Sequence, residues 1–250
     1  MLAVFKREFK SYFTNPLGFI ILAVIYFFLG LGFSQIYSAG APYVEYAVLF
    51  VAQMGLLYFV IPVITMRLFS DERRTKTDQV LFTAPVKLIN IVLGKFFAAF
   101  SLYALGFAPT IIYQIIVSAY VSVNLFYYIY ALIGIMLFGA ALIAIGMFIS
   151  TLTESPIISI IFTLVINLFI MFAGSFSNMI AVPSASAWYE KIWAGIVKGF
   201  AYVIGKFDFV SILDSFANQA FAIADVIYFV SVIIAFIFLT ERSLEKRRWS

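Results

Sequence analysis

Six long apolar runs, separated by short polar stretches, constrain this sequence more than any other feature. Of its 250 residues, 64% are hydrophobic and only 11% are charged, whereas a soluble domain has about a quarter charged residues. The chain cannot cover itself with polar surface, and each run is long enough to cross roughly 30 Å of hydrocarbon as a helix. Because helices satisfy their own backbone hydrogen bonds in lipid, we predict an all-α membrane protein with six transmembrane helices. The predicted spans are residues 17–37, 46–69, 96–121, 125–151, 156–176 and 222–240.

The distribution of basic residues predicts how the chain is oriented. Thirteen of the 16 Lys and Arg residues precede the first run, surround the connection between the second and third runs, or follow the last run. Basic residues are enriched on the cytoplasmic side of a membrane. We therefore expect both termini and the connection 70–87 to be cytoplasmic, in a multi-pass protein of the bacterial cytoplasmic membrane.

Residues 2–14 have the pattern of an amphipathic helix. Phe5 and Phe9 recur at helical spacing on one side, and Lys6, Arg7 and Lys10 occupy the other side. This pattern favours an interfacial helix on the cytoplasmic leaflet. Two alternatives remain: a plain basic flank that anchors the first span, or the basic start of a cleaved signal peptide, which the length of the first apolar run argues against.

The connection 178–221 is too long and too apolar for a simple loop. Apolar residues in 189–203 keep a helical rhythm, and Ile212, Leu213 and Phe216 suggest a second short helix. We predict that both short helices lie at the outer membrane interface or dip partly into the membrane, before the last span begins.

Several kinds of chemistry are excluded by composition and by missing motifs. The chain has no cysteine and no histidine, which removes thiol chemistry and His-based catalysis, and we predict no metal site. The phosphate-binding loop of nucleotide hydrolases is absent, so we expect no cofactor on this chain and no catalytic residues. No pair of carboxylates lies deep within the runs, which argues against ion-coupled transport, and nothing points to nucleic acid.

The polar residues that lie deep in the runs are neutral. Gln53, Gln114 and Asn167 fall within the second, third and fifth runs. They can form hydrogen bonds between helices, or they can line a path through the membrane. For the second case the candidate path residues are Gln53, Asn167 and Met171, together with nearby phenylalanines.

The connection 70–87 concentrates charge in an otherwise apolar chain. Ser70 can cap a short helix whose first turn holds Asp71 and Glu72, which suits the positive end of a helix dipole. Residues 80–82 then form an apolar patch. The segment is either a solvated loop that obeys the charge rule or a docking element for a cytoplasmic partner, and the exposed apolar patch favours the second.

The run Ser70-Asp71-Glu72-Arg73-Arg74, within residues 66–86, resembles the first cytoplasmic loop of ABC-2 type permeases, the membrane subunits of ATP-binding-cassette exporters. Within that family it looks most similar to the gliding-motility-associated and copper-enzyme-maturation permeases. The family usually has Gly where Lys76 stands and Glu where Gln79 stands, so we expect no helix break at Lys76. The resemblance continues at residues 93–96, 150–154, 225–229 and 244–249.

The resemblance implies a type V, or ABC-2, exporter architecture in which residues 2–14 are a connecting helix and 72–82 contain a coupling helix. It implies two ATPase subunits, which bind ATP and Mg, and a second permease subunit, identical or not. The path between the two permeases would carry a hydrophobic or amphipathic substrate. The alternative function is a non-transporting scaffold or sensor that anchors an ATPase. The residues expected to contact the ATPase are Glu72, Arg73, Arg74, Lys76, Thr77, Gln79, Val80, Leu81, Phe82 and, to a lesser extent, Glu154.

Overall fold

The described part of the chain is helical throughout. A computed structural model describes residues 1–38, 40, 44–77, 87–122, 124–179, 197, 199, 202, 204–217 and 222–248, and none of these residues lies in a β-strand. The helices of the described ranges are α1 (Leu2–Thr14), α2 (Leu17–Ser38), α3 (Val44–Gln53), α4 (Leu56–Thr65), α5 (Ser70–Arg74), α6 (Leu88–Phe107), α7 (Pro109–Tyr120), α8 (Leu125–Leu152), α9 (Pro156–Met179), α10 (Phe209–Ala217) and α11 (Ile223–Arg248).

The helices confirm a membrane protein with five or six spans. Helices α2, α8, α9, α11 and the consecutive pair α6–α7 are each long and apolar enough to cross a bilayer. The pair formed by α3 with the α4–α5 segment passes the same test, although its two parts are bent by 71°. Counting that pair as one span gives the predicted six.

The predicted span 46–69 is divided by a sharp break. Gly55 follows α3 with φ +70°, in the left-handed region that favours glycine. A Cβ atom at Gly55 would lie 2.9 Å from Cε of Met171 on α9. The backbone conformation of the break therefore favours glycine, and the flexible end of the Met171 side chain packs against it.

Other boundaries also differ from the apolar runs. Helix α6 begins at Leu88, ahead of the predicted start at residue 96, and α11 continues to Arg248 rather than ending at residue 240. The extension of α11 is strongly charged, because a helix can leave the hydrocarbon without ending, whereas the extension of α6 is mostly apolar and ends at Lys95. Of the two predicted outer helices, the second is present as α10, whereas most of the first lies outside the described residues.

Helix α8 forms the centre of the bundle. It packs against α3, α4, α6, α9, α10 and α11, and most of its residues from Phe138 to Thr151 are buried. Glycines permit this close packing: a Cβ atom at Gly139 would lie 2.2 Å from Cζ of Tyr103 on α6. The hydroxyl of Tyr103 donates a 2.7 Å hydrogen bond to the carbonyl of Ile135, which fixes α6 on α8.

Candidate functional site

The five-residue helix α5 lies at the charged end of the bundle, the end that also holds α1, the start of α6 and the link between α8 and α9. An isolated helix of this length is not stable in water. Its last turn ends in a Schellman motif: the N–H of Thr77 bonds to the carbonyl of Glu72 (3.0 Å), and the N–H of Lys76 bonds to the carbonyl of Arg73 (3.2 Å). Lys76 has φ +55°. The expectation of no break at Lys76 was therefore wrong, because the two backbone bonds hold this lysine in a conformation that favours glycine.

The start of α5 is held by a side chain from another helix. The hydroxyl of Ser150, on α8, accepts hydrogen bonds from the backbone N–H groups of Phe69 (3.1 Å) and Ser70 (3.2 Å). The predicted cap, Ser70, instead turns its own hydroxyl back to the carbonyl of Met66. The prediction of a local cap was wrong because the acceptor comes from a residue 80 positions away.

A buried ion-pair cluster lies on one side of α5. The Lys95 side chain is only 1% exposed, and its Nζ lies 2.9 Å from the Glu72 carboxylate and 3.3 Å from the Glu8 carboxylate. Nζ also donates to the carbonyl of Leu68 and lies 4.9 Å from the centre of the Phe69 ring. A buried charge is stable only when it is paired and hydrogen-bonded, so these contacts account for a lysine inside the bundle.

Arg7 completes this cluster from α1. Its guanidinium donates to Glu8 (2.6 Å) and to Glu72 (2.8 Å). Burial acts to lower the pKa of Arg7, but the hydrogen bonds and charges of the two carboxylates outweigh it and raise the pKa above its ordinary value. Four charged side chains from three helices, α1, α5 and α6, therefore form one network, the Lys95 cluster, which consists of Arg7, Glu8, Glu72 and Lys95.

Helix α1 is present as predicted and presents two different faces. The rings of Phe5 and Phe9 stack at 5.7 Å on one side, and Lys6 and Lys10 are exposed. The hydroxyl of Tyr12 donates a 2.8 Å hydrogen bond to the carbonyl of Ile64 at the end of α4. Burial and the nearby Glu8 carboxylate raise the pKa of Tyr12, so this hydroxyl keeps the proton that it donates.

The turn between α4 and α5 is held by side chains of three other helices as well as by its own backbone, in which the N–H of Leu68 bonds to the carbonyl of Thr65 (3.1 Å). The carbonyl groups of Ile64, at the end of α4, and of Met66 and Leu68 accept hydrogen bonds from residues of α1, α8 and α6 respectively. Backbone groups that leave a helix inside a membrane protein need such partners. The turn is thus specified by its neighbours, and the bent span cannot move at this end without moving α5.

On its other side, α5 is tied to the link between α8 and α9. The guanidinium of Arg73 lies 2.7 Å from the Glu154 carboxylate and donates a 2.9 Å hydrogen bond to the carbonyl of Leu152. Glu154 comes two residues before Pro156, where α9 begins. Helix α5 is therefore connected on one side to α1 and α6, and on the other side to the start of α9.

The predicted contact residues fall into three groups. Glu72 and Arg73 form the internal ion pairs just described. The Arg74 and Glu154 side chains are 65% and 71% exposed, and Lys76 and Thr77 are also exposed. The remaining four, Gln79, Val80, Leu81 and Phe82, lie outside the described residues.

The candidate path residues occupy three different environments. Gln53 is exposed at the end of α3, and Met171 is partly buried against the break at Gly55. Asn167 is fully buried, and its Nδ2 donates a 3.1 Å hydrogen bond to the carbonyl of Tyr58. That carbonyl needs an outside donor, because the residue four positions later is Pro62, which has no N–H.

A family comparison covers most of this arrangement. The family model described as ABC-2 family transporter protein matches residues 9–174, from α1 through the bent span to α9. This chain belongs to the ABC-2 transporter family. No curated protein matches the sequence. The ABC-2 chain is a multi-pass membrane permease of an ABC system, from a family whose members are generally non-catalytic and associate with an ABC ATPase.

Sequence reasoning missed three residues of this site, namely Glu8, Lys95 and Ser150. Lys95 carried a usable signal, since a single lysine inside an otherwise apolar segment indicates a buried ion pair. Glu8 and Ser150 carried none, because one is an ordinary charge on an amphipathic helix and the other an ordinary hydroxyl near a helix end. Within the described ranges, no group of acidic residues has the arrangement of a metal site.

Proposed function

We propose that this ABC-2 permease is the membrane subunit of an exporter, in which two permease subunits bind two copies of a separate ATPase subunit. The charged end faces the cytoplasm, and α5 is the coupling helix that contacts the ATPase. ATP binding and hydrolysis on the partner then move a hydrophobic or amphipathic substrate from the cytoplasm or inner leaflet to the outside.

The observation that carries this proposal is the attachment of α5. A solvated loop needs only water around it, whereas α5 is bonded to α1, α6 and the α8–α9 link through Glu72 and Arg73. The same helix leaves Arg74 exposed, and Lys76 and Thr77 follow it at the surface. A short helix that is rigid on its inner side and charged on its outer side is suited to receive a force from a partner protein.

The contacts also indicate how a displacement of α5 would travel. On one side the Lys95 cluster would shift α1 and α6 together with α5. On the other side the Arg73–Glu154 pair would pull on the start of α9. Movement of the ATPases would thus change the position of several spans at once, which is what opening a path between them requires.

The proposal is tested by purifying the chain from its native membrane together with its cytoplasmic partner. Arg74→Glu is the decisive variant, because Arg74 is exposed and its 3.6 Å contact with Asp71 is a loose surface pair. We expect it to weaken ATPase binding by about tenfold or more, since reversing a charge in an interface juxtaposes like charges. Arg73→Glu is less informative, because it also breaks the internal pair with Glu154.

Arg242→Glu is the matched control. Arg242 is similarly exposed at 61%, but it lies on α11 and pairs with Glu245. We expect this variant to bind the ATPase like the wild-type chain. Unchanged binding by the Arg74 variant would contradict the role of α5, and an ATPase that binds but whose turnover ignores every cargo would favour an anchoring function instead.

A further inference from the structure

A stripe of neutral polar residues runs along the buried face of α9. Ser159, Thr163 and Asn167 are spaced four residues apart, so they lie above one another on one side of the helix, and all three are 0% exposed. The opposite face is apolar and open, with Ile161, Phe162 and Phe169 between 43% and 56% exposed. The polar residues of this membrane helix thus point into the protein and its apolar residues point outward.

The stripe contains polar atoms that lack hydrogen-bond partners. Ser159 Oγ, Thr163 Oγ1 and Asn167 Oδ1 are buried and have no partner within the part of the chain that the structure describes, and the same holds for the hydroxyl of Tyr58 on α4. A buried polar atom without a partner raises the free energy of the state that contains it. Three such atoms along about 12 Å of α9, with the Tyr58 hydroxyl as a fourth on the neighbouring α4, indicate that this packing is one state of the seam and that another state satisfies them.

The helices that close the seam meet at a glycine. At Gly146, on α8, a Cβ atom would lie 2.4 Å from Oγ1 of Thr65 on α4 and 3.1 Å from Cγ2 of Thr163. Close packing without a side chain in the way lets two surfaces separate and return. The seam between α9 and the α4–α8 pair is therefore narrow, and at this level the short side chains of Thr65 and Thr163 pack against the glycine.

A carboxylate lies at the far end of the same face. Asp208 precedes α10, accepts a 3.1 Å hydrogen bond from the backbone of Ser211, and lies so close to Gly174 that a Cβ atom there would be 2.1 Å from Oδ2. Gly174 follows Asn167 by seven residues and so lies on the same side of α9. The stripe thus continues from hydroxyl and amide groups to a hydrogen-bond acceptor with a negative charge.

The beginning of the stripe is joined to α5. Ser159 lies in the first turn of α9, just after the link in which Glu154 pairs with Arg73. Any displacement of α5 acts on the helix end nearest the stripe. The seam is therefore placed where the proposed ATPase contact can open it.

We infer that the stripe is a hydration and cargo track within a single chain. In one state of the cycle α9 separates from α4 and α8, and water or the hydrogen-bond-donating head of an amphipathic cargo bonds to Ser159, Thr163, Asn167 and Tyr58. The charged acceptor Asp208 then lies at the exit. This inference rests on the proposed exporter function. It adds that the track is lined by the buried face of α9, and that this face is polar.

The absence of cysteine from this chain gives a direct test. Ser159→Cys and Thr163→Cys each introduce one thiol on the stripe, and the first replaces only oxygen by sulfur. The permease with its co-purified ATPase is reconstituted in lipid vesicles and treated with a charged, water-soluble methanethiosulfonate reagent, with and without ATP and vanadate. Phe162→Cys on the exposed apolar side of α9 and Ala144→Cys in the apolar core of α8 are the matched controls.

We expect one nucleotide condition to accelerate labelling of both stripe thiols by about tenfold or more, since a minor open state becomes populated, while both controls stay unreactive. Stripe thiols that resist the reagent in every condition, in complexes with normal ATPase turnover, would overturn the track and leave the exporter function intact. Failure of the cysteine-free parent to bind an ATPase would overturn the exporter function, and this inference with it. Should Thr163→Cys fail to assemble, Ser159→Cys decides the result.

Discussion

Two polar regions of this ABC-2 permease differ in how their groups are satisfied. In the Lys95 cluster every charged side chain has a partner: Arg7 and Lys95 each contact both Glu8 and Glu72. Along the stripe of α9, three of the side chains carry a buried polar atom with no partner among the described residues. The charged groups of the Lys95 cluster are thus all paired in this structure, whereas the stripe keeps polar atoms without a partner among the described residues.

This difference shows how one chain can transmit a force from its charged end and also let two of its helices separate. A fully paired network around a buried lysine resists distortion, because breaking the contacts of Lys95 leaves a buried charge uncompensated. Neutral groups without partners cost less to expose, because water satisfies them. The charged end can therefore move as a unit, whereas the seam is the place where such a movement can separate helices.

The largest effect is expected from Lys95→Met, which keeps the length of the side chain and removes its charge. Glu8 and Glu72 would then share only Arg7, and the carbonyl of Leu68 would lose its donor. We expect a loss of about 3–5 kcal/mol in the free energy of unfolding, measured by thermal or denaturant unfolding in detergent.

Lys87→Met is the control for this change, because Lys87 is exposed just before α6. It should alter stability by less than about 0.5 kcal/mol. Equal stability of the Lys95 and Lys87 variants would mean that the Lys95 cluster does not hold the three helices together.

A smaller effect is expected from Asn167→Leu, because this side chain of the stripe has one paired atom and one unpaired atom among the described residues. Asn167 has one paired atom, Nδ2, and its donation satisfies the Tyr58 carbonyl that Pro62 leaves without a donor. We expect this variant to lose about 2 kcal/mol in unfolding free energy.

Repeating the Asn167→Leu measurement in a chain that also carries Pro62→Ala tests the reason for this loss. Alanine restores an N–H group four residues after Tyr58, so the helix can satisfy the carbonyl itself. Asn167→Leu should therefore cost about 1 kcal/mol less in the Pro62→Ala chain than in the wild-type chain. An identical cost in both backgrounds would show that Asn167 does not compensate for the proline.

The smallest changes in unfolding free energy are expected from substituting two serines that lie on neighbouring helices. Ser150→Ala should destabilise by about 1 kcal/mol, because two N–H groups at the start of α5 lose their acceptor. Ser159→Ala should leave unfolding free energy unchanged or raise it slightly, since its buried hydroxyl has no partner in the described structure. Thermal unfolding of the two variants under the same conditions tests this difference in stability. Equal losses of stability would contradict it.

The sequence predicted the elements whose signal is local and repeated. The six apolar runs, the amphipathic pattern of residues 2–14 and the short helix suggested by Ile212, Leu213 and Phe216 all depend on residues that are close in the chain. Each corresponds to a helix in the structure, except that the second and third runs are each divided between two consecutive helices. Gly55 shows the limit of this approach. A glycine inside a long apolar run has the same local pattern whether the helix continues or bends, and only the structure shows the left-handed backbone and the 71° bend at this position.

By itself, the sequence determined that this protein is a helical membrane permease of the ABC-2 family and that charge is concentrated around residues 70–76, because hydropathy, period and motif are properties of neighbouring residues. Tertiary structure alone decided which of those charges are exposed. Glu72 and Arg74 lie two positions apart, yet the first is paired with a buried lysine from α6 and the second is open to solvent. Tertiary structure also decided that the hydroxyl of Ser150 has hydrogen-bond partners and that the hydroxyl of Ser159 has none among the described residues. Burial and pairing depend on which helices meet in space, and a side chain separated by 80 residues in sequence can supply or withhold the partner.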